Sequence, residues 1–229
     1  MSIENIRASV NPVHIQRLMP FKATIDIRYY LNGICIEKAE KGGVYLIASD
    51  GHTMCVIHDA TGTLEGSDNI IFRVGAGLPA AAKMAGNKMH KTLPYRLLVK
   101  GQRVKVACGF ESDGDAELFV QAGRSLIEGK FPNWRKVVPD LTTLKPGFGD
   151  TMNAHYLARL SKLTTDRRFQ GLSLWQAEAG KAVVARVPLV PEMIVVMMPM
   201  RSDNTDVTAA FKGFPVETVK APEPVLEAA

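Results

Sequence analysis

A chain of 229 residues, 46% hydrophobic and 22% charged, has a globular composition and room for one large domain or two modest ones, which excludes global disorder. No run reaches the roughly eighteen apolar residues of a membrane span, since the most apolar stretch, 187–200, is broken by Pro188, Pro191 and Glu192. The net charge of +5 is unevenly spread: residues 73–110 hold eight Lys and Arg and no acid, whereas the tail from Ser202 holds five acids and two lysines. That basic run is either a polyanion-binding face or a set of solvated surface cations.

In chain order, Asn11 is placed to cap a helix with Pro12 at its first position, and Val13–Lys22 follows with apolar residues at helical spacing. Residues 25–36 alternate β-branched, aromatic and polar side chains and predict a strand. Further strands are expected at 44–48, 53–58, 69–74, 95–99, 103–108 and 117–121, most of them separated by glycine-containing turns. Residues 77–89 are rich in alanine and predict a second helix, and Asn153 caps a third over 154–163, striped by Tyr156, Leu157, Leu160 and Leu163.

The order strand, helix, three strands therefore recurs over 5–60, 67–122 and 147–200. Each unit of about 55 residues is too small to stand alone, so two such units are expected to pair around shared sheets. The fold class is α+β. Residues 128–140, with their prolines and aromatics, read as an extended connector between the second and third units.

Signals for catalysis are scarce. There is no Walker loop, no GxGxxG after a strand, no GxSxG and no HExxH. Asp50 and His52 share an Asp-Gly-His turn, which is above all a turn-forming sequence. Cys35, Cys55 and Cys108 are odd in number and widely spaced, and the histidines lack metal-ligand spacing, so neither a disulfide framework, a metal site nor a cofactor is expected. The N-terminus lacks an apolar signal core, which predicts a cytoplasmic protein.

Three stretches taken together resemble one family, the beta subunit of bacterial replicative DNA polymerase, the DNA sliding clamp. They are DIRYYLNGICIE (26–37) running on to ASDGHTM (48–54), EGKFPNWRKVVP (128–139), and VVMMPMR (195–201) preceded by RFQGLSL (168–174). The similarity looks like the clamp's middle domain over 1–139 and part of its last domain over 140–201, followed by an acidic tail at 202–229. It implies a DNA-clamp fold of repeated β-α-β-β-β units, with outward antiparallel sheets and inner helices that line a hole for duplex DNA. It implies a non-enzymatic processivity factor that tethers polymerase or repair proteins.

The resemblance also implies two sets of residues. Arg17, Lys22, Lys83, Lys88, Lys91, Arg159, Lys162 and Arg167 would meet phosphates without reading bases. Leu31, Ser49, Gly51, His52, Met54, Pro132, Lys136, Val137, Val196, Met198, Pro199, Met200 and Arg201 would form a cleft for short linear peptides. Thr53 stands where the family commonly has Arg, which removes one positive wall. Three units leave one unit without an internal partner, so self-association is expected, either as a four-chain ring or as a clamp relative that never closes one. A protein–protein adaptor that keeps the cleft without encircling DNA is the alternative reading.

Overall fold

The computed structural model describes residues 3–86, 95–108, 117–163 and 171–201. The described residues include two antiparallel sheets and three short α-helices. The first unit comprises β1 (Arg7–Val10), α1 (Val13–Leu18), β2 (Gly33–Lys38), β3 (Val44–Ser49) and β4 (Thr53–Asp59), with a short β5 (Thr63–Glu65) after it. The second comprises β6 (Asn69–Arg73), α2 (Leu78–Gly86), β7 (Tyr95–Lys100), β8 (Arg103–Cys108) and β9 (Glu117–Gln121). The third comprises β10 (Lys145–Pro146), α3 (Ala154–Leu160), β11 (Ser173–Gln176), β12 (Val183–Arg186) and β13 (Met193–Met197).

The first two units exchange their opening strands. β1 pairs with β7 of the second unit, and β6 pairs with β2 of the first. The resulting sheets run β5-β1-β7-β8-β9 and β10-β11-β12-β13-β4-β3-β2-β6. The larger sheet is continuous between the first and third units through β4 and β13, with Met54 opposite Val196 and Cys55 opposite Val195. Among the described residues β10 has no exchange partner, and it pairs for two residues with β11 of its own unit.

The main core lies between the helices and the inner faces of both sheets. Ile15 and Leu18 of α1, Leu78 and Ala82 of α2, and Leu160 of α3 pack there with Ile36, Leu46, Ile57, Val99, Val106 and Val195. A second, smaller cluster occupies the outer face of the larger sheet, where Cys35, Ile47, Met54, Ile71 and Val196 pack with Phe131 of the connector and Ile127 just before it. This double cover explains the almost continuous burial of β4, because alternation is lost when both faces of a strand are packed.

The predicted strand over 25–36 begins only at Gly33, and residues 29–32 form a 3-10 turn instead. Asp26 and Asn32 exchange hydrogen bonds with each other's backbone or side chain at 3.0 Å, and the Arg28 N–H donates to Asp26 Oδ1 at 2.8 Å. These local side-chain bonds compete with strand pairing. They leave Ile25 and Ile27 almost fully exposed, at 94% and 98%. The first and third helices also end before the predicted positions, at Leu18 and Leu160, and each continues into a tighter turn. Asn153 caps the third helix as expected, accepting the His155 N–H at 2.9 Å. No helix among the described residues is long and apolar enough to cross a membrane.

Candidate functional site

The β4–β13 seam opens into a cleft where the connector's cover ends. Its first wall is the turn between β3 and β4. Ser49 Oγ donates to the Thr53 carbonyl at 2.9 Å and accepts the Gly51 N–H at 3.0 Å, while the Asp50 carboxylate accepts the N–H groups of His52 and Thr53. Gly51 sits at φ +89°, a left-handed conformation that suits glycine. The Met198 N–H donates to the His52 carbonyl at 3.0 Å, so the turn and the chain after β13 are held edge to edge.

The third unit holds this turn from below. Arg159 of α3 donates to Asp50 Oδ2 at 2.6 Å and to Thr53 Oγ1 at 2.6 Å. Its guanidinium lies 5.1 Å from the Tyr156 ring centre, and Tyr156 in turn stacks on His52 at 6.2 Å. Burial alone would raise the Asp50 pKa. The Arg159 hydrogen bond and the two turn N–H groups outweigh it and hold the carboxyl below its ordinary 3.8. Both oxygens of Asp50 therefore serve the turn and α3. With the His52 imidazole stacked on Tyr156, the pair has the geometry of a structural turn and not of an acid–base dyad.

The opposite wall comes from the connector. Trp134 packs edge-on to Tyr45 with ring centres 5.1 Å apart, and the Arg135 guanidinium caps Trp134 at 4.4 Å while ion-pairing with Glu37. Asn133 caps the short turn that carries them, accepting the Arg135 N–H.

Between these walls lies a depression of about 90 Å³ with a largely apolar lining. Eight of the expected cleft residues line it: Ser49, Gly51, His52, Met54, Pro132, Val137, Val196 and Met198. Thr53, Phe131 and Trp134 line it as well and were absent from the expected set. Phe131 and Trp134 stood out in the sequence only as pins of the connector, and nothing in their spacing distinguishes a wall from a pin. A shallower hollow of about 530 Å³ adjoins it through Val137 and Met198 and extends past Lys136 to Lys181. Leu31 is buried at 2% exposure in the cluster below the floor and does not line the cleft. Pro199, Met200 and Arg201 follow the seam without lining either hollow. The Met200 N–H is tied to the Thr151 carbonyl at 2.9 Å.

The expected phosphate-facing cations separate into two groups. Arg17 is largely buried and paired with Glu192 at 3.3 Å, and Arg159 is taken up by Asp50, so neither offers an unpaired charge to a phosphate. Lys22 is half-buried and donates to the Ala23 carbonyl, its pKa lowered by burial and then by nearby Arg73. Lys83 and Lys162 are exposed and have no acidic partner among the described residues. Lys88, Lys91 and Arg167 lie outside the described residues.

The chain is similar to proteins named beta sliding clamp. It is 24% identical over 163 residues to that of Escherichia coli K12, covering 71% of this chain and 40% of that protein. With the Vibrio cholerae protein the identity is 26% over 169 residues, covering 72% and 41%. The chain thus spans about two fifths of the length of the curated relatives it matches. A Pseudomonas aeruginosa DNA polymerase sliding clamp superposes with a TM-score of 0.62 at 15% identity, over 86% of this chain and 66% of that one. A Caulobacter crescentus beta sliding clamp superposes with a TM-score of 0.58 at 18% identity, over 88% and 68%. No protein-family model matches the chain.

Proposed function

From a chain that has the sliding-clamp fold and is a relative of the bacterial beta sliding clamps over part of their length, we propose a non-catalytic clamp-like protein that holds a short linear peptide of a polymerase or repair protein in the β4–β13 cleft. In this reading residues 1–139 form a paired domain, 140–201 form a single unit docked on it, and self-association covers that unit's open side. The helices face duplex DNA and contact its backbone without reading bases.

The observation that carries the reading is the cleft itself. It draws on the β3–β4 turn, the connector and the chain after β13, and its apolar floor of Met54, Val196 and Met198 adjoins a second hollow through Val137 and Met198. Methionines make such a floor adaptable to varied side chains. The test is binding of a fluorescein-labelled peptide of the kind held by bacterial clamps, followed by polarisation. Met198→Asp is expected to weaken binding at least 10-fold with the fold intact, because it places a charge on the apolar lining. Equal affinity of the two proteins would overturn the cleft reading.

One observation favours the adaptor form of this function, which keeps the cleft without encircling DNA. Arg17 and Arg159, two of the helix cations, are neutralised by Glu192 and Asp50. Retention on circular but not linearised duplex at low salt supports encirclement, and equal loss from both supports the adaptor.

A further inference from the structure

The basic run noted in the sequence is not placed chiefly on the helices. On β1, β7 and β8 the residues facing the core are Ala8, Val10, Leu97, Val99, Val104 and Val106. Their neighbours, Arg7, Lys100, Arg103 and Lys105, therefore emerge on the opposite face of the five-stranded sheet, away from α1 and α2. The connector covers the outer face of the larger sheet, but here it covers nothing, and a shallow groove of about 390 Å³ runs across the strands.

The register makes the groove electrostatically unusual. Arg7 stands directly opposite Lys100, and Lys100 directly opposite Arg103, so three cations form one row across three adjacent strands. Neighbouring strands are about 4.8 Å apart, which places the row within roughly 10 Å. Like charges directly opposite one another destabilise a sheet. The compensation is incomplete. Glu65 faces Arg7 from β5, and Glu117 lies 3.3 Å from Lys105 and 3.9 Å from Arg103, while Lys100 has no acidic partner among the described residues.

The rim is made of hydroxyls held in place. Arg96 bonds Ser9 Oγ and the Ser9 carbonyl on β1, and Thr61 Oγ1 and the Thr61 carbonyl beyond β4, fixing Ser9 and Thr61 beside the cations. Apart from Glu65 and the apolar Ala8, Leu98 and Val99, the groove is lined by Arg, Lys, Ser and Thr without an aromatic platform, the side chains that contact a phosphodiester backbone and leave bases unread.

We propose that this outer face of β1, β5, β7 and β8 is a second nucleic-acid contact, which lays one phosphate backbone across the Arg7–Lys100–Arg103 row independently of sequence. It goes beyond the clamp reading, in which DNA meets the helices on the other side of the sheet. A strand leaving the helical face would be held on the outside of the same domain.

The test compares the full chain with K100E/R103E and with the helix variant K83E/K162E, using a fluorescein-labelled 20-nucleotide oligothymidine in a salt series, with the peptide assay as a control for folding. K100E/R103E is expected to lose about 10-fold in affinity at low salt and to flatten the log–log salt slope by about 1.5, as removal of two phosphate contacts requires. K100R/R103K is expected to bind as the parent does, and K83E/K162E is expected to retain oligothymidine binding. Unchanged affinity and slope in K100E/R103E would overturn the proposal. So would an unchanged oligonucleotide affinity accompanied by lost binding of poly-glutamate, which would assign the face to an acidic protein segment. A second readout is independent of any ligand: relief of the like-charge row makes Lys100→Gln melt about 1–2 °C higher than the parent in phosphate-free buffer. A lower melting temperature would contradict the argument from the row.

Discussion

Arg159 and Asp50 are 109 residues apart in sequence and meet at 2.6 Å, which makes the helix of the third unit a support for the turn that walls the cleft. The pair is mostly shielded from solvent, and Arg159 bonds Thr53 Oγ1 as well. Arg159→Gln is expected to cost about 1.5–3 kcal/mol in urea unfolding. It is also expected to weaken the cleft peptide several-fold, because the turn loses its footing. In a double-mutant cycle with Asp50→Asn, the double variant should be little worse than either single one. Additive losses would show that the two groups act apart.

Gly51 makes a sharper demand on the same turn. At φ +89° an L side chain is strained by about 1–2 kcal/mol. A Cβ there would also lie 2.6 Å from an Arg28 guanidinium nitrogen. Gly51→Ala should lower stability by that strain and displace Arg28, which is read by urea denaturation and by peptide affinity together. Full retention of both would mean that the turn tolerates a different backbone.

His14 gives the chain a defined acid sensitivity. Its ring is buried on α1, and Nδ1 has no hydrogen-bond partner among the described residues. Burial is the largest influence and, with Arg17 and Arg96, outweighs Asp59 and Glu192, lowering its pKa from 6.5 to about 4. The unfolded chain therefore takes up a proton that the folded chain refuses between these two values. Stability is complete above pH 6.5 and falls as the pH drops towards 4, by roughly 3 kcal/mol in all. Asp50 and Asp59, with carboxyls held below 3.8, act only at lower pH and do not mask this window. Unfolding measured from pH 7 to about pH 5, above the range of the carboxylates, should show the slope in the parent and little of it in His14→Leu.

The three thiols should differ in reactivity. Cys35 and Cys55 are buried and their pKa values are pushed far up by desolvation, whereas Cys108 is half-exposed. Titration of the native chain with a disulfide reagent should count one fast thiol, and three after denaturation. A count of three in the native state would show that the larger sheet opens readily.

The strands at 103–108 and 117–121 were legible in the sequence, because strand-forming side chains act locally. The stretch 25–32 was misread for a local reason as well. It has strand-forming side chains, but Asp26 and Asn32 satisfy the backbone through their own bonds and leave two isoleucines in solvent. Eight residues of the depression's lining followed from the family resemblance. Trp134 and Phe131 did not, since their place depends on how the connector crosses the larger sheet. The fate of Arg17 and Arg159 was illegible too, because their acidic partners are far away in sequence.

The exchange of β1 and β6 has a bearing on how the chain is made. Neither of the first two units can complete its sheet until both have been synthesised, so they fold as one cooperative body. The seam must then wait for β13, whose Val196 closes on Met54 from far down the chain. A chain that has not yet reached β13 therefore has no finished cleft to offer. A peptide partner that engages this site selects molecules whose last strand has already docked, so recruitment doubles as an inspection of the finished fold.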